Sequence, residues 1–544
     1  MMMARGMSAA GTRATRHAVT RRGCMASTSQ ASRIEPGTVM DLSDLIDRHA
    51  AFTPDKIAIR FAGRTLTYAA FAARIAAAAR ALKSQLGIGR GDRVAILSTN
   101  HPDYLVLLYA CARLGALLVP LNWRLAIPEQ VFILSDVSVK ALVVEEGFAA
   151  VSPPLLEVLP DARVVGLDFA PAGGVSFEQI LAAGTGDGRS SPLDLSCPLL
   201  VVYTSGTTGR PKGAVLRQEA LVWNAAMSQH MHALTSDDHV LTVLPFFHVG
   251  GLNVLTTPAL QFGATVTIHP RFAPDAALTA LGEDRPTLTV LVPATMQALI
   301  EHPRWQETDL SALRAVTTGS TLVPQPLIDA VTARGIPVLQ VYGSTETCPI
   351  AVYTPLGGDL SRGGSTGLPG LHCEARIVDE VGREVARGTP GEVVVRGPNV
   401  FFEYWGNEAA TGEVLRNGWY HTGDIGTRDD DGYFYVHDRK KNMIISGGEN
   451  IYPAEIERVL HEHPAVAEAA VIGCPDPKWQ EVPVAYVVAR KGMSVDADGL
   501  LRHVAAQLAR FKIPRDVVFV DDLPRNALGK VQHFRLKELA KATR

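Results

Sequence analysis

The chain has 544 residues, too many for one compact core, and this length predicts two or more domains. Hydrophobic residues make up 47%, charged residues 20%, and the formal net charge is −3, so no basic field points to nucleic acid. The six cysteines are scattered and form no Cys-x-x-Cys pair. This usage argues against a zinc site or a disulfide framework and favours a reducing, cytoplasmic location.

Residues 1–37 differ from the rest, because they carry several arginines and a single acid, Glu35. We expect a disordered tail or a sequence upstream of the true start codon, with a targeting segment as the alternative. The most apolar stretch, residues 104–121, is interrupted by Arg113 and Gly115. It predicts a buried helix followed by a strand, and no transmembrane segment.

Helical and strand patterns alternate from about residue 40 to beyond residue 340. This alternation predicts an α/β domain of parallel and mixed sheets flanked by helices, covering residues 38–440. The pattern then restarts on a smaller scale, which predicts a small α+β domain over residues 441–544. In chain order we predict helix 66–86, strand 93–97, helix 103–114, strands 116–121, 199–203 and 337–341, helix 453–461, strands 465–473 and 483–489, helix 497–510, strand 517–520 and a terminal helix.

The strongest local signal is the segment 204–213, TSGTTGRPKG, which follows the apolar strand 199–203. Glycines let the backbone approach an oxyanion, hydroxyls donate hydrogen bonds, and Lys212 adds positive charge. This chemistry suits a triphosphate. The segment is not a Walker A loop, because its Gly-Lys pair is not followed by Ser or Thr in the required frame.

Two further segments carry candidate ligand groups. In 342–347, YGSTET, Tyr342 can stack on a base, Thr345 can bind a phosphate oxygen and Glu346 can hold a magnesium ion. In 419–426, WYHTGDIG, the Asp424 carboxylate can accept two ribose hydroxyls. Either segment alone is typical of an ordinary turn.

The order of these three segments, with DRKKNMI at 438–444 and Lys530 downstream, resembles the adenylate-forming superfamily of acyl-CoA synthetases, luciferases and peptide-synthetase adenylation domains. The resemblance covers about residues 40–540. It is strongest to bacterial fatty-acyl-CoA synthetases and their aryl-CoA relatives, through IISGGENIYPAEIE at 444–457. It implies ligation of a carboxylic acid to CoA through an acyl-adenylate, with ATP, Mg²⁺ and coenzyme A, and a mobile C-terminal domain. Assembly as a homodimer is left open.

The resemblance also implies roles for individual residues. The loop 204–213 would hold the β- and γ-phosphates of ATP, and Asp424, helped by Arg439, would bind the ribose. One wall of the adenine site would be residues 319–321 and the other Tyr342, with Gln340 meeting the adenine amino group. Glu346 is the expected metal ligand. The ATP-binding set is Thr204, Ser205, Gly206, Thr207, Thr208, Gly209, Lys212, Gly319, Ser320, Thr321, Gln340, Tyr342, Gly343, Ser344, Thr345, Asp424, Arg439 and Lys530.

Catalysis is expected from Lys530, His248, Thr345 and Glu346. Lys530 would stabilise the charge that builds as pyrophosphate leaves, and one such donor changes a rate by about 10²–10³-fold. Many members of the superfamily have Thr or Ser where this chain has Leu528.

Two further expectations concern domain movement and the thiol. Lys441 is the expected hinge between the two domains. Gly447 and Gly448 would line the tunnel for the pantetheine arm of CoA.

The acid itself is less well specified. The segment 244–252, LPFFHVGGL, contains His248 as a candidate gate and offers no carboxylate for a substrate ammonium, which argues against amino acids. Malonyl-CoA synthetases place an arginine in the helix matching 293–300, where this chain has Ala298. We therefore expect an apolar acid, a fatty acid first and an aromatic acid second.

Three alternative functions remain. They are a malonyl-CoA-type dicarboxylate synthetase, suggested by residues 525–532, a luciferase-like oxygenation, and a non-catalytic nucleotide or acyl sensor.

Overall fold

The computed structural model of the protein describes residues 41–171, 174–190, 193–204, 211–320, 323–446, 449–525 and 531–542.

Many helices begin with a side chain that accepts a hydrogen bond from the first turn or with a proline, and several end at a residue in the left-handed conformation. Thr67 caps the second helix by accepting the N–H of Ala70, and Gly87 ends it with a φ of 63°. In chain order the α-helices are α1 Ser43–Phe52, α2 Tyr68–Leu86, α3 Pro102–Leu114, α4 Ile127–Asp136, α5 Ser152–Val158, α6 Phe177–Ala183, α7 Gln218–His232, α8 Val249–Asn253, α9 Thr256–Gln261, α10 Pro274–Glu283, α11 Pro293–Ile300, α12 Gln325–Thr332, α13 Glu408–Val414, α14 Pro453–His461, α15 Ala497–Ala505 and α16 His533–Ala542.

The strands are mostly short and rich in Val, Ile and Leu, as buried parallel strands are. In chain order they are β1 Ile57–Phe61, β2 Arg64–Thr67, β3 Arg93–Leu97, β4 Leu117–Pro120, β5 Ala141–Val144, β6 Arg163–Gly166, β7 Val175–Ser176, β8 Pro198–Thr204, β9 Lys212–Arg217, β10 His239–Thr242, β11 Thr265–Ile268, β12 Leu288–Leu291, β13 Ala315–Gly319, β14 Val338–Tyr342, β15 Val352–Tyr353, β16 Leu368–Pro369, β17 Glu374–Val378, β18 Gly391–Arg396, β19 Glu403–Tyr404, β20 Leu415–Arg416, β21 Trp419–Arg428, β22 Phe434–Arg439, β23 Ile444–Ser446, β24 Glu449–Ile451, β25 Val466–Asp476, β26 Gln480–Ala489 and β27 Asp516–Phe519.

Two large sheets form the centre of the N-terminal region. Their strand orders are β16-β15-β14-β13-β12-β10-β11-β1-β2 and β19-β9-β8-β4-β3-β5-β6-β7. Neighbouring strands from β1 to β14 within the first sheet, and from β8 to β7 within the second, pair in parallel, and antiparallel strands are added at the edges. The carboxyl ends of parallel strands meet at one edge of a sheet, which is where open α/β folds bind ligands.

Helix α3 shows how the sequence builds this core. It is buried along its whole length, and its two charged side chains pair with neighbouring helices: Asp103 with Arg74 of α2 at 2.8 Å and Arg113 with Asp47 of α1 at 2.7 Å. The predicted buried helix followed by a strand over 104–121 is therefore confirmed. No helix of the described residues is long and apolar enough to cross a membrane.

A third, antiparallel sheet follows, in which β21 pairs with β18, β20 and β22. The C-terminal residues then form a smaller α+β unit, in which β26 pairs with β25, β23 and β27. One face of this last sheet packs on α14 and α15, the other on α16. The fold class is the one expected: a large α/β domain followed by a small α+β domain.

Two elements differ from the prediction. The helix expected over 497–510 ends at Ala505, and a 3₁₀ turn follows at Arg510–Lys512 before Pro514. The WYHTGDIG segment lies within the ten-residue strand β21, whereas a strand end or a turn was expected. Gly423, with a φ of 70°, interrupts the regular geometry of that strand just before Asp424.

Candidate active site

The predicted ATP-binding residues lie at the carboxyl ends of strands from the two large sheets and on the third sheet. Thr204 ends β8, Gly319 ends β13 and Tyr342 ends β14, while Asp424 belongs to β21. Four segments far apart in the sequence thus supply groups to the site.

Asp424 is the centre of a buried polar group. Its side chain is 8% exposed. The hydroxyl of Tyr342 donates to Oδ2 at 2.7 Å, and Nε of Arg439 lies 2.6 Å from Oδ1. The pairing of β21 with β22 places Asp424 directly opposite Arg439, so strand register alone fixes this ion pair.

The charges of this group reinforce one another. The carboxylate of Asp424 raises the pKa of Arg439 above its usual value, which keeps the guanidinium charged. Burial, followed by the charge of Asp424, raises the pKa of Tyr342, so the phenol stays a hydrogen-bond donor. A carboxylate has about four acceptor positions, so Asp424 keeps acceptor capacity for hydroxyl groups of a ligand.

Glu346 is the second buried carboxylate of the site, and the residue is 7% exposed. It lies in the 3₁₀ turn Thr345–Thr347, and the hydroxyl of Tyr404 donates to its Oε1 at 2.7 Å. Burial, followed by the charge of Glu346, raises the pKa of Tyr404. The ammonium of Lys212 lies 5.3 Å from the centre of the Tyr404 ring, so this tyrosine links the predicted metal ligand to the predicted phosphate-binding lysine.

The surroundings of Glu346 fit a magnesium ion. One carboxylate oxygen accepts the Tyr404 hydroxyl, and the other is left to bind a hard cation. Among the described residues no group of three His, Cys, Asp or Glu side chains could form a protein cage for a metal. This arrangement suits Mg²⁺, which proteins usually hold through one or two carboxylates together with substrate phosphates and water.

The two predicted adenine walls lie on neighbouring strands. Gly319 stands opposite Val341 in the β13–β14 pairing, and a Cβ on Gly319 would come within 2.3 Å of the Val341 carbonyl oxygen. Only glycine fits this close approach. Ser320, the next residue, has a φ of 77° and turns the chain away from the sheet. Gln340 lines a polar cleft beside helix α12, whose walls include Thr332 and Thr354.

The turn after β14 is held by its own side chains. The Ser344 N–H donates to Thr347 Oγ1 at 2.9 Å, and the Ser344 hydroxyl lies 3.4 Å from the hydroxyl of Tyr420. A Cβ on Gly343 would fall 1.6 Å from the Pro349 carbonyl oxygen, so this position requires glycine. Thr345, in the same turn, is buried.

Strands β8 and β9 bring the two ends of the predicted phosphate loop together. Thr204 pairs with Lys212 in this antiparallel ladder. The predicted loop residues Ser205, Gly206, Thr207, Thr208 and Gly209 lie outside the described residues, as do Thr321, Gly447, Gly448 and Lys530. Their assigned roles stay predictions.

His248 caps the short helix α8. Its Nδ1 accepts the N–H of Gly250 at 3.1 Å, which assigns the ring proton to Nε2 in the neutral form. The start of α8 packs closely against the preceding segment. This packing requires glycine at position 251, because a Cβ there would lie 2.4 Å from the Pro245 carbonyl oxygen. The ring is half-buried, beside the buried side chain of Phe247.

Helix α11 is the other element expected near the acid. Its sequence, PATMQALI, contains no charged residue. Met296 and Leu299 are buried in the hydrophobic cluster around Trp305, and Ala298 is half-buried. No cation stands on this helix to pair with a second carboxylate.

The predicted hinge follows β22. Asp438 accepts hydrogen bonds from the Asn442 side chain at 3.0 Å and from the Ala454 N–H at 3.1 Å, so it contacts the start of α14 across the predicted hinge. Burial, followed by the charge of Glu457, raises the pKa of Asp438. Lys441 itself is exposed.

Two tyrosines of the site were missed by the sequence analysis. Tyr404 lies in FFEYWG, a segment with no glycine-rich or charged pattern around it. Tyr420 lies inside WYHTGDIG, but nothing in that motif indicates that its hydroxyl contacts Ser344. Their positions depend on the packing of Phe401 between them, at ring distances of 4.8 and 5.5 Å.

Comparison with known proteins identifies the class of enzyme. Residues 46–405 match the family described as AMP-binding enzyme, and residues 455–530 match the AMP-binding enzyme C-terminal domain. The chain belongs to this family. It is an acyl-CoA synthetase, an AMP-forming ligase that uses ATP, Mg²⁺, CoA and a small carboxylic acid.

Its relatives include ligases of aromatic acids. The chain is 50% identical to an indoleacetate–CoA ligase of Aromatoleum aromaticum over 501 residues, 92% of this chain and 98% of that protein. It is 42% identical to a feruloyl-CoA synthase of an Amycolatopsis species, over 89% of this chain and 96% of that one. The structure of o-succinylbenzoate CoA synthetase from Bacillus subtilis, in complex with the acyl-adenylate intermediate OSB-AMP, matches with a TM-score of 0.81 at 33% identity, covering 91% and 97% of the two chains. The expected priority of fatty over aromatic acids finds no support among these relatives.

Proposed function

We propose that the chain joins an aromatic acid, of the arylacetate class and with indole-3-acetate first, to CoA. The observation that carries the proposal is the 50% identity to an indoleacetate–CoA ligase along almost the whole of both chains. The 42% identity to a feruloyl-CoA synthase makes hydroxycinnamates the second candidate class.

The groups expected near the acid are compatible with a flat apolar substrate. Helix α11 is uncharged, which would leave the second carboxylate of a dicarboxylic acid without a partner. The ring of His248 is half-buried and offers an aromatic face, and Gly250 keeps the space beside that ring free, because a Cβ there would lie 3.0 Å from Nδ1. Planar rings gain additional attraction from such edge or face contacts.

The first half-reaction forms the adenylate. We propose that Asp424 and Arg439 hold the ribose while Tyr342 forms one wall of the adenine site. A carboxylate oxygen of the acid attacks the α-phosphorus, the bond from that phosphorus to the bridging oxygen breaks, and pyrophosphate leaves. Lys530 and Lys212 would stabilise the developing negative charge.

Glu346 would hold the metal ion against the phosphates. When bound, Mg²⁺ neutralises phosphate charge and orients the leaving group. The hydrogen bond from Tyr404 fixes the Glu346 carboxylate in place beforehand, so little reorganisation is needed when the nucleotide arrives.

The second half-reaction transfers the acyl group. The sulfur of CoA attacks the carbonyl carbon of the adenylate, the bond to the phosphate oxygen breaks, and AMP leaves. We propose that rotation about Lys441 withdraws Lys530 and brings Gly447 and Gly448 to the entering thiol.

A panel of acids tests the proposed substrate class. We would measure kcat/KM by AMP release for indole-3-acetate, phenylacetate, ferulate, o-succinylbenzoate, decanoate and malonate. The arylacetates should exceed decanoate and malonate by at least about ten-fold, which corresponds to about 1.4 kcal/mol of transition-state binding. A higher value for decanoate or malonate would reject the aromatic assignment, and a higher value for ferulate would move it to the hydroxycinnamates.

A further inference from the structure

Two buried asparagines hold the backbone segments that carry His248 and Glu346. Asn100 follows β3 of the second large sheet and is 2% exposed. Asn399 lies between β18 of the third sheet and β19 of the second, and it is 0% exposed. Buried amide groups are normally hydrogen-bonded, so the partners of these two side chains show which segments they fix.

Asn100 fixes the segment that leads into His248. Its Nδ2 donates to the carbonyl oxygen of Leu244 at 2.9 Å, and its Oδ1 accepts the N–H of Phe246 at 2.8 Å. Pro245, between these two residues, accepts the N–H of His248 at 3.2 Å. The backbone before His248 is therefore held by three hydrogen bonds, and a single side chain makes two of them.

The same asparagine joins the two large sheets. The second N–H of its Nδ2 donates to the carbonyl oxygen of His269, just after β11, at 3.0 Å. Strands β10 and β11 belong to the first sheet and β3 to the second. Asn100 thus sets the position of the segment after β10 relative to strand ends of both sheets.

Asn399 fixes the segment that follows Glu346. Its Nδ2 donates to the carbonyl oxygens of Thr347 at 2.9 Å and Ile350 at 2.8 Å. Two residues further along, the N–H of Phe401 donates to the carbonyl oxygen of Glu346 at 2.7 Å. The 3₁₀ turn that contains Glu346 is therefore attached to this connection through three of its own or its neighbouring carbonyl groups.

The oxygen of the Asn399 amide makes no comparable contact. Among the residues that the structure describes, Oδ1 is buried and has no hydrogen-bond partner. An unpaired buried acceptor destabilises the folded state. An apolar side chain of the same size would avoid that cost, but it would leave the carbonyl oxygens of Thr347 and Ile350 without their donor. The two N–H groups are thus what Asn399 contributes at this position.

The two fixed segments meet beside the expected position of the reacting atoms. Helix α8, which His248 caps, contacts the chain just after the 3₁₀ turn, because Nδ2 of Asn253 lies 3.5 Å from Sγ of Cys348. His248 is the candidate gate for the acid. Thr345 and Glu346 are the proposed contacts of the α-phosphate and the metal ion. The acid and the nucleotide are therefore held by two segments that separate asparagines fix.

We propose that these asparagines are positioning residues that orient the two reactants of adenylate formation separately. Asn100 acts on the acid through His248. Asn399 acts on the nucleotide through the turn Thr345–Thr347. Attack on the α-phosphorus needs both reactants in line, and a misplacement of about 1 Å caused far from the chemistry can lower a rate about 10²-fold. This inference rests on the proposed roles of the site residues, and it does not depend on which acid is used.

Asn399→Leu and Asn399→Asp test the nucleotide side, because both remove the two donors and nearly keep the shape. Calorimetry of ATP binding in the absence of acid, with and without Mg²⁺, measures the effect directly. Wild type should bind ATP more tightly when Mg²⁺ is present, and both variants should lose about ten-fold of this gain in Kd, the size of one charged contact. The single-turnover rate of adenylation should fall about 10²-fold, while KM for the acid stays within about two-fold of wild type.

Asn100→Leu and Asn100→Asp are the matched variants, because Asn100 is similarly buried and its amide also donates two hydrogen bonds. They should raise KM for the acid about ten-fold and leave the Kd of ATP within about two-fold of wild type, with or without Mg²⁺. All four variants should have a lower Tm, since buried carbonyl oxygens lose their donors, so the assays are run well below the lowest Tm.

The opposite responses of the two pairs distinguish positioning from structural support alone. The proposal is overturned if the folded variants lose stability but keep wild-type Kd, KM and rate, or if both pairs change the ATP and acid constants equally. The acid is whichever member of the panel turns over fastest, so a failed arylacetate assignment leaves the test intact. If no acid turns over, the proposed function fails, and the Mg²⁺-dependent ATP affinity still decides the role of Asn399.

Discussion

The hydroxyl of Tyr342, at the end of β14, donates a 2.7 Å hydrogen bond to the Asp424 carboxylate on β21. The two residues are 82 positions apart, and their contact joins the first large sheet to the third sheet. It aligns the proposed adenine wall with the proposed ribose acceptor before any nucleotide binds.

Substitution of Asp424 should weaken ATP binding. Asp424→Ala removes the acceptor for the ribose and leaves Arg439 without its partner. Charged hydrogen bonds are worth about 1.5–3 kcal/mol, so KM for ATP should rise at least about ten-fold. Tyr342→Phe keeps the ring and loses one neutral donor, and should raise KM only a few-fold. Equal ATP affinities in wild type and Asp424→Ala would remove Asp424 from the site.

Glu346→Gln should alter the magnesium requirement. Glutamine keeps the shape and can still accept the Tyr404 hydroxyl, but it loses the charge that a metal ion needs. The Mg²⁺ concentration for half-maximal adenylation should rise, and the rate should fall by about 10²-fold or more. Tyr404→Phe, which keeps the carboxylate, is the control with the smaller effect. An unchanged Mg²⁺ titration for Glu346→Gln would contradict its assignment as metal ligand.

The sequence predicted this site in part, and the reasons are specific. Asp424 and Arg439 lie in two motifs whose chain order is characteristic, and the antiparallel pairing of β21 with β22 places the two residues opposite each other. The Tyr404–Glu346 contact could not be predicted, because it depends on the pairing of β19 with β9 and on the packing of Phe401.

A buried histidine behind the site should make stability depend on pH. His232 contacts the Ser228 carbonyl oxygen at 2.7 Å and Thr317 of β13 at 2.8 Å. Burial lowers its pKa to about 4 from 6.5. Between these values the unfolded chain binds the proton and the folded chain does not, so stability is full above pH 6.5 and is lost toward pH 4.

This loss should be absent when the histidine is replaced. From pH 7 to pH 5 the wild type should lose roughly 2 kcal/mol more than His232→Gln, seen as a larger fall in the urea midpoint. If the urea midpoints of the two proteins fell equally between pH 7 and pH 5, His232 would not be the group that causes the loss of stability.

The two half-reactions should respond oppositely to two substitutions. Lys530→Ala should damage adenylate formation and spare CoA transfer to a preformed adenylate. Lys441→Pro fixes φ near −65° and should do the reverse by restricting domain rotation. Lys441 is exposed, and its N–H donates no hydrogen bond within the described residues, so proline removes no backbone bond there. Single-turnover assays of each half-reaction, with circular dichroism as the folding control, decide this. Loss of the same half-reaction in both variants would reject Lys441 as the hinge.

The most direct test of the proposed activity is to incubate the purified protein with ATP, Mg²⁺, CoA and indole-3-acetate and to quantify every product. We expect AMP, pyrophosphate and indoleacetyl-CoA in equal amounts, and pyrophosphate exchange into ATP that requires the acid and does not require CoA. Exchange that fails with indole-3-acetate and with every other aromatic acid, or AMP formed without an accompanying thioester, would contradict the assignment as an aromatic acid–CoA ligase.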